Sequence, residues 1–345
     1  MAKDRIPGMA VGIAVGGTAY VLNYGVASRE TRRPVTRDTL FEIGSITKSF
    51  TATLTAYAQR RGYLSLSETT SKVLPQLRGT DFGNVRLLAL ATHTPGGLPL
   101  QVPDNVGNDE QLIAYLREWH PADAPGTYRT YSNVGIGTLG LIAARSMGGD
   151  FAALMGERVF SALGMTNSFI ALPAAKAARY AQGYTGRDAP TRLATGELWP
   201  EAYGIRTSAA DMIRFVEANM DEIALDPTLR QAIRDTHVGY FRTRAMTQDL
   251  IWEQYPFPVE LATLLDGNSP ASIYDPTPVT RIAPPQAPLR NAWLNKTGST
   301  NGFGAYVAFV PAKRMGIVIL ANKSYAIADR VTTAHAILTA LGVRH

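Results

Sequence analysis

The sequence predicts an α/β (α+β) fold in which both ends of the chain contribute strands to one antiparallel sheet and the middle forms a mostly helical lobe. Strand-like runs occupy residues 9–15 and 18–25, and three more lie at 290–300, 303–310 and 315–321. The segments between these groups carry helical periodicity and long loops. Because neighbouring strands tend to pair through simple connections, strands at both ends imply one shared sheet.

The local signals define the other elements in chain order. Gly16-Gly17 joins the first two strands as a hairpin, and a helical pattern over 45–61 ends at Gly62. Further helices are predicted after the capping residue Asn108, over 134–147, over 151–163, after a capping-box-like start at Ser208 and Asp211, and along 331–341. The segment Pro270 to Pro288 contains six prolines and is predicted to be a long exposed loop.

These elements predict a sheet domain from residues 1–60 and 200–345, a mostly helical domain from 61–199, and an active site between them.

The apolar run from Met9 to Val15 is too short to span a bilayer. No signal peptide precedes it, so we interpret the chain as a mature or trimmed form.

Length and composition are typical of one large globular domain or two interlocked ones. Of 345 residues, 46% are hydrophobic and 18% are charged. The 34 basic residues exceed the 28 acidic ones and give a net charge of +6, but they are scattered along the chain. This scatter indicates a solvated cationic surface and no nucleic-acid partner. The absence of cysteine excludes disulfides and cysteine nucleophiles.

Several classes of active site lack their motifs. Neither a G-x-S-x-G elbow nor a G-x-x-x-x-G-K-[ST] phosphate loop occurs. The five histidines contain no H-x-H or H-E-x-x-H pair, which leaves only a zinc site assembled from distant histidines. We therefore predict no metal and no cofactor.

Ser45 and Lys48 form the S-x-x-K motif of the chain at the start of the predicted helix 45–61. Residues three apart on a helix share a face, with Cβ atoms about 5–6 Å apart, so the ammonium can reach the hydroxyl. The helix N-terminus favours negative charge developing on the serine oxygen. Lysine serves as a base only where burial or a second cation lowers its pKa. Alone, the motif is commoner as a capping serine beside a surface lysine.

Tyr131, Ser132 and Asn133 lie just before the helix predicted over 134–147. A phenol ordinarily titrates near pH ~10, and two neighbouring cations would favour its phenolate. Asn133 offers an acceptor for a lysine and a donor for a substrate carbonyl.

Lys296, Thr297, Gly298 and Ser299 lie on a predicted strand. The glycine allows another backbone to approach, and a strand edge can bind an amide substrate and contribute an N–H group to an oxyanion hole. Lys296 supplies a second cation that can bind a carboxylate and keep Tyr131 acidic. Three such motifs in this order make coincidence an unsatisfactory explanation.

With these motifs the sequence resembles the serine β-lactamases and penicillin-binding proteins, in which S-x-x-K and K-T-G occur together. The Y-S-N motif is similar to that of class C, the AmpC-type cephalosporinases. The resemblance covers essentially the whole chain and includes the segments 6–11, 96–101, 201–204, 302–307 and 320–323. It implies the serine β-lactamase/DD-peptidase-like fold.

The resemblance also implies a catalytic role for five residues. Ser45 would attack the lactam carbonyl, while Lys48 and Tyr131 manage its proton. The backbone N–H groups of Ser45 and Ser299 would form the oxyanion hole. Tyr131, near Lys48 and Lys296, would protonate the leaving nitrogen and later help to activate water.

Substrate-binding residues are implied in the same way. Gln101 and Asn133 would contact the side-chain amide of the substrate, and Tyr203 would line the pocket. Lys296, Thr297 and Thr300 would bind its carboxylate. The complete set predicted for substrate binding is Gln101, Asn133, Tyr203, Thr297, Gly298, Thr300 and Asn301.

Two features depart from the family pattern. Ile327 stands where the family often has an asparagine that contacts the substrate carboxylate. An aliphatic side chain cannot donate a hydrogen bond, so recognition would depend more on Thr300 and Asn301, and we expect altered substrate preference. The chain also begins late relative to the first helix of the family, which bears on stability and not on chemistry.

The sequence thus predicts a periplasmic, monomeric class C β-lactamase that hydrolyses β-lactams through an acyl-enzyme on Ser45, with no nucleic-acid or membrane partner. One alternative is a D-alanyl-D-alanine carboxypeptidase or an esterase on the same fold, which would acylate but release a β-lactam slowly. Another is a penicillin-sensing module with an inactive site. The intact Ser45, Lys48, Tyr131 and Lys296 argue against the sensing module.

Overall fold

The computed structural model describes residues 1–342 of the chain. Its strands are β1 Gly8–Val15, β2 Thr18–Gly25, β3 Phe41–Glu42, β4 Tyr128–Arg129, β5 Ser168–Phe169, β6 Gly183–Tyr184, β7 Pro190–Thr191, β8 Arg206–Thr207, β9 Gly239–Arg242, β10 Thr247–Gln248, β11 Glu253–Pro256, β12 Thr277–Pro278, β13 Thr280–Gln286, β14 Ala292–Ser299, β15 Gly304–Val310 and β16 Met315–Ala321. Its α-helices are α1 Thr47–Arg60, α2 Leu87–Ala91, α3 Asp109–Arg117, α4 Asn133–Ser146, α5 Phe151–Met155, α6 Trp199–Ala202, α7 Ala209–Asn219, α8 Pro227–Asp235, α9 Leu261–Gly267, α10 Ala271–Tyr274 and α11 Ile327–Gly342.

Strands from both ends of the chain form one antiparallel sheet. Its nine strands run in the order β13-β9-β10-β11-β14-β15-β16-β1-β2. The N-terminal β1 pairs with the C-terminal β16, so that Met9 lies opposite Ala321 and Val15 opposite Met315. The predicted fold class is confirmed.

The central strands are buried on both faces because helices cover each side of the sheet. In β16, Val318 and Leu320 belong to the core shared with α7, whereas Ile317 and Ile319 belong to the core shared with α11. Successive side chains of a strand point to opposite faces, so one strand supplies both cores. This double burial explains the continuous apolar sequence of β15 and β16.

A second, mostly helical region packs around α4 and has its own hydrophobic core, to which α2 and α3 contribute. Helix α1 lies between the two regions. Its Phe50 and Leu54 join the sheet core, and its Ala52 and Ala58 join the helical core. The N-terminus of α1 is thereby held between the sheet and the helical lobe.

The prediction of a long exposed loop for Pro270–Pro288 is wrong in part. The segment is largely exposed, as expected, but it is not a loop, because it contains the single-turn α10 and the strands β12 and β13. Strand β13 forms the outer edge of the sheet, and its register with β9 shifts between Arg281 and Gln286. Proline is tolerated on such an edge because a missing N–H there breaks no central ladder.

Two of the predicted helix starts have side-chain N-caps. Asn108 and Ser208 accept backbone hydrogen bonds from Gln111 and Asp211, respectively. The capping box at Ser208 is incomplete, since the Asp211 carboxylate accepts from the Asn167 amide at 2.7 Å. The helix predicted over 151–163 forms as α5 followed by a π-helical stretch, Gly156–Phe160.

Candidate active site

Ser45 lies in the 3₁₀ turn Gly44–Ile46 that leads into α1, directly beside the end of β14. Gly44 has a φ of +51°, and a Cβ there would lie 2.5 Å from the backbone oxygen of Ser299. A Cβ at Gly298 would lie 1.9 Å from the backbone oxygen of Ile43. Glycine at both positions therefore lets the start of α1 and the end of β14 meet backbone to backbone.

Lys48 is fully buried under Ser45. Its Nζ donates to Ser45 Oγ at 2.9 Å and to the backbone oxygen of Ala202 at 2.8 Å. Burial lowers the pKa of Lys48 to about 8, with Tyr131 opposing and the Lys296 cation reinforcing that change. A lysine with this pKa exchanges a proton readily near neutral pH.

Tyr131 lies between the two lysines and is only 5% exposed. Its ring centre is 5.1 Å from Lys48 Nζ and 5.2 Å from Lys296 Nζ. Burial raises the pKa of the phenol, but the Lys296 and Lys48 cations and hydrogen bonds with Ser45 and Lys48 bring it down to about 8. Tyrosine and lysine thus have matched proton affinities, which suits the exchange of one proton.

Lys296 projects from β14 into a buried ionic group that the sequence motifs did not reveal. Its Nζ lies 3.4 Å from Glu253 Oε1, and the Arg129 guanidinium lies 3.5 Å from the same oxygen. Arg129 also donates to Gln248 Oε1 at 2.6 Å. Glu253 therefore offsets two buried cations that stand beside Tyr131.

A cleft of about 650 Å³ opens over Ser45. It is lined by Ser45, Gln101, Asn133, Thr185, Thr191, Leu193, Ala194, Tyr203, Tyr274, Ser299, Thr300, Asn301 and Ser324. The predicted residues Gln101, Asn133, Tyr203, Ser299, Thr300 and Asn301 are thus brought together around Ser45. Lys48, Tyr131 and Lys296 lie buried below this wall, and Thr297 and Gly298 are buried within β14.

Asn133 begins α4 at the cleft wall. Its backbone N–H donates to the Leu100 oxygen at 2.9 Å, while its buried side-chain oxygen has no hydrogen-bond partner within residues 1–342. The predicted bond from a lysine to this oxygen is absent there. An unpaired buried amide oxygen leaves a free acceptor at the cleft.

Thr300 has a partner that no motif indicated. Its hydroxyl donates to Glu42 Oε2 at 2.6 Å. The other oxygen of this buried carboxylate accepts from the Leu193 amide at 2.9 Å and from the Tyr180 hydroxyl. To donate to a substrate carboxylate, the Thr300 hydroxyl must first exchange its bond to Glu42.

His93 packs against the face of Tyr131, with ring centres 4.6 Å apart. Its Nδ1 accepts from the Ser132 amide at 3.3 Å. Burial, followed by the Arg129, Lys48 and Lys296 cations, holds the pKa of His93 well below its usual value. A neutral ring therefore supports Tyr131 without adding a further cation. Nothing in the sequence around His93 indicated its contact with Tyr131.

Helix α11 reaches the end of β14 through Arg330. This buried guanidinium donates to the Gly298 oxygen at 2.8 Å and to Ser299 Oγ at 2.9 Å. Ile327, the first residue of α11, is half-buried against the core on that face of the sheet. Arg330 thus fixes the strand end that borders Ser45.

Two negative findings concern the part of the chain that the structure describes, residues 1–342. No group of His, Cys, Asp and Glu side chains there could hold a metal ion. No helix in that range has the length and apolar character needed to cross a bilayer.

Comparisons with known proteins agree on one family. The family model described as Beta-lactamase matches residues 1–342. A β-lactamase of Lysobacter lactamgenus is 48% identical over 342 residues, covering 99% of this chain and 89% of that protein.

The solved structures that this chain resembles include enzymes named for two different activities. The D-alanine carboxypeptidase AmpC from Burkholderia cenocepacia is 55% identical, with a TM-score of 0.95 and coverage of 99% of this chain and 95% of that one. A class C β-lactamase solved with cefoxitin is 48% identical, with a TM-score of 0.96 and the same coverages.

Proposed function

The chain belongs to the β-lactamase family as a class C serine enzyme that hydrolyses the β-lactam amide, and we propose that it does so through a covalent acyl-enzyme on Ser45. The observation that carries this proposal is the 2.9 Å contact between Lys48 Nζ and Ser45 Oγ under a tyrosine flanked by two lysines. Because Lys48 and Tyr131 both have a pKa of about 8, either can take the serine proton during attack.

Acylation requires a site for the negative charge that develops on the lactam oxygen. We assign this oxyanion hole to the backbone N–H groups of Ser45 and Ser299. The close backbone approach allowed by Gly44 and Gly298 supports this assignment, because it brings the two segments to one point.

Proton transfer then completes both halves of the reaction. As the lactam C–N bond breaks, the nitrogen takes a proton from Tyr131, which the neighbouring lysines have kept acidic. In deacylation, Tyr131 accepts a proton from water as that water attacks the ester, and Ser45 leaves with a proton returned through Lys48. The two lysines remain to stabilise the phenolate between these steps.

Recognition is assigned to the rest of the cleft. Gln101 and the unpaired Asn133 oxygen would bind the side-chain amide, with Tyr203 as an apolar wall. Lys296 would attract the substrate carboxylate, with Thr297, Gly298, Thr300 and Asn301 forming the adjoining strand end.

The remaining sequence predictions belong to the same proposal. The enzyme acts in the periplasm as a monomer, without nucleic-acid or membrane partners. The boundaries 1–60 with 200–345 and 61–199 delimit its two domains, although residues 343–345 lie outside the described range. Sedimentation at micromolar concentration tests the monomer, and a species of twice the mass of 37.3 kDa would contradict it.

Steady-state hydrolysis of a chromogenic cephalosporin tests the chemistry, with intact-protein mass recorded in parallel. We expect many turnovers for the native chain and none above background for Ser45→Ala. Ser67→Ala removes an exposed hydroxyl that does not line the cleft and is the matched control, with unchanged turnover.

A D-alanine carboxypeptidase is the second candidate, because the 55% identical protein from Burkholderia cenocepacia is named a D-alanine carboxypeptidase. Both activities acylate Ser45, and they differ in how fast water releases the acyl group. One persistent adduct per chain with slow release, together with cleavage of a D-alanyl-D-alanine peptide, would favour the carboxypeptidase.

A further inference from the structure

A second cavity lies behind the catalytic cleft, on the far side of segment 201–203. It has a volume of about 380 Å³ and is lined by Asp109, Leu141, Ala144, Arg145, Gly149, Asp150, Phe151, Gly196, Glu197, Leu198, Trp199, Pro200 and Glu201. A cavity of ~150 Å³ can hold benzene, so this one has room for an aromatic ring with a polar group.

Glu201 is the buried polar group of this cavity. The residue is 6% exposed, and its Oε2 has no hydrogen-bond partner within residues 1–342. A buried carboxyl oxygen without a partner is costly, so it marks a place where a donor is missing.

The charges around Glu201 select the kind of donor. Asp109 on α3, Asp150 at the start of α5 and Glu197 line the same cavity, and Arg145 on α4 is its one basic lining residue. Arg145 is paired with Asp109, so the remaining carboxyl groups there keep no lining cation.

The lining of the cavity also indicates which class of cation it can bind. The acidic residues do not form a group that could hold a metal ion within residues 1–342. Apolar walls from Leu141, Phe151 and Leu198 face the same space. An organic cation with an apolar body fits both features, and an amidinium or guanidinium supplies charged N–H donors for a carboxylate.

We propose that this cavity is a binding site for a small organic cation of the amidinium or guanidinium type, with Glu201 as its anchoring carboxylate. The site is separate from the cleft. Segment 201–203 divides them, since the Ala202 backbone oxygen accepts a hydrogen bond from Lys48 Nζ on one side, while Glu201 lines the cavity on the other.

Binding should depend on pH in a defined direction. Burial raises the pKa of Glu201 to about 8, and Glu197, Asp150 and Asp109 add to that rise, while its own backbone N–H opposes it. An amidinium favours the ionised carboxylate, so its affinity increases as pH rises through the pKa of Glu201.

Calorimetric titration of the native chain with benzamidine tests the site without any turnover. We expect a dissociation constant of about 1 mM or tighter at high pH, and binding that strengthens about tenfold between about pH 7 and about pH 9. Benzamide, which has the same shape without the charge, should bind weakly and without this pH dependence.

Glu201→Gln keeps the side-chain size and, at about pH 9, should weaken benzamidine binding about tenfold while abolishing the pH dependence. Glu197→Gln, nearer the surface, should cost about threefold and provides the test if the first variant does not fold. Glu260→Gln removes an equally negative but exposed and distant side chain and should change nothing. Absence of benzamidine binding, or binding that both cavity variants leave unchanged, overturns the proposal and leaves the function of the cleft untouched.

Discussion

The two ends of the cleft differ in how deeply their side chains are buried. At the proton-transfer end, Lys48, Tyr131 and Lys296 are all at most 5% exposed. At the recognition end, Gln101 and Asn301 are exposed to solvent. Charges interact far more strongly where water is excluded, so burial and the neighbouring charges together shift the pKa values of Lys48 and Tyr131 at the first end. Substitutions at the two ends should therefore differ in size and in kind.

The largest difference is expected between two tyrosines. Tyr131→Phe removes only the hydroxyl to which we assign proton exchange, and we expect kcat/KM for a chromogenic cephalosporin to fall about 1,000-fold. Tyr203→Phe makes the same chemical change at the recognition end and should reduce kcat/KM about threefold or less.

Steady-state kinetics of both variants provide the measurement, and circular dichroism shows that each is folded. Equal losses for the two tyrosines would contradict the division of the cleft.

Glu253→Gln tests how much the buried ionic contacts of Glu253 contribute to the free energy of unfolding. It removes the carboxylate that lies between Lys296 and Arg129 and leaves both cations buried without it. Breaking a buried ion pair in this way should lower the free energy of unfolding by about 3 kcal/mol.

Urea denaturation followed by tryptophan fluorescence measures that change. Glu260→Gln, on an exposed surface, is the control and should stay within about 0.5 kcal/mol of the native chain. An unchanged midpoint for Glu253→Gln would show that the pair contributes nothing to stability.

Lys296→Met should move the pH dependence of catalysis. The Lys296 cation lowers the pKa of both Tyr131 and Lys48, so its removal raises both values above about 8. The rise of kcat/KM with pH should then shift about one unit toward alkaline pH. A Lys72→Met variant loses an exposed cation and should keep the native profile, whereas a shift toward acid in Lys296→Met would contradict the assignment.

The smallest effect is expected at Ile327, the first residue of α11, which packs against the core and is not among the residues that line the cleft. Ile327→Asn restores a hydrogen-bond donor for a substrate carboxylate and should change relative kcat/KM values among cephalosporins about threefold. Kinetics over a panel of cephalosporins check this. If the order of preference among them stays the same, Ile327 does not determine specificity.

Much of the proton-transfer end was predictable because its geometry is local. The three-residue spacing of Ser45 and Lys48 on a helix fixes their contact, and the structure has it at 2.9 Å. The strand ending at Ser299 was also predicted, as were β1 and β16. The proline-rich segment 270–288 was predicted less well, because only sheet assembly shows that an edge position accepts proline.

The sequence by itself determined the fold class and the order of the three motifs, and it predicted Ser45 as the nucleophile with Lys48 as its base, since these depend on periodicity and short spacing. Only the tertiary structure decided which distant groups tune them. Glu253 meets Lys296 across 43 positions of chain, and Glu42 meets Thr300 across 258. The physical reason is that a pKa responds to burial and to charges a few ångströms away in space, and packing alone sets those distances.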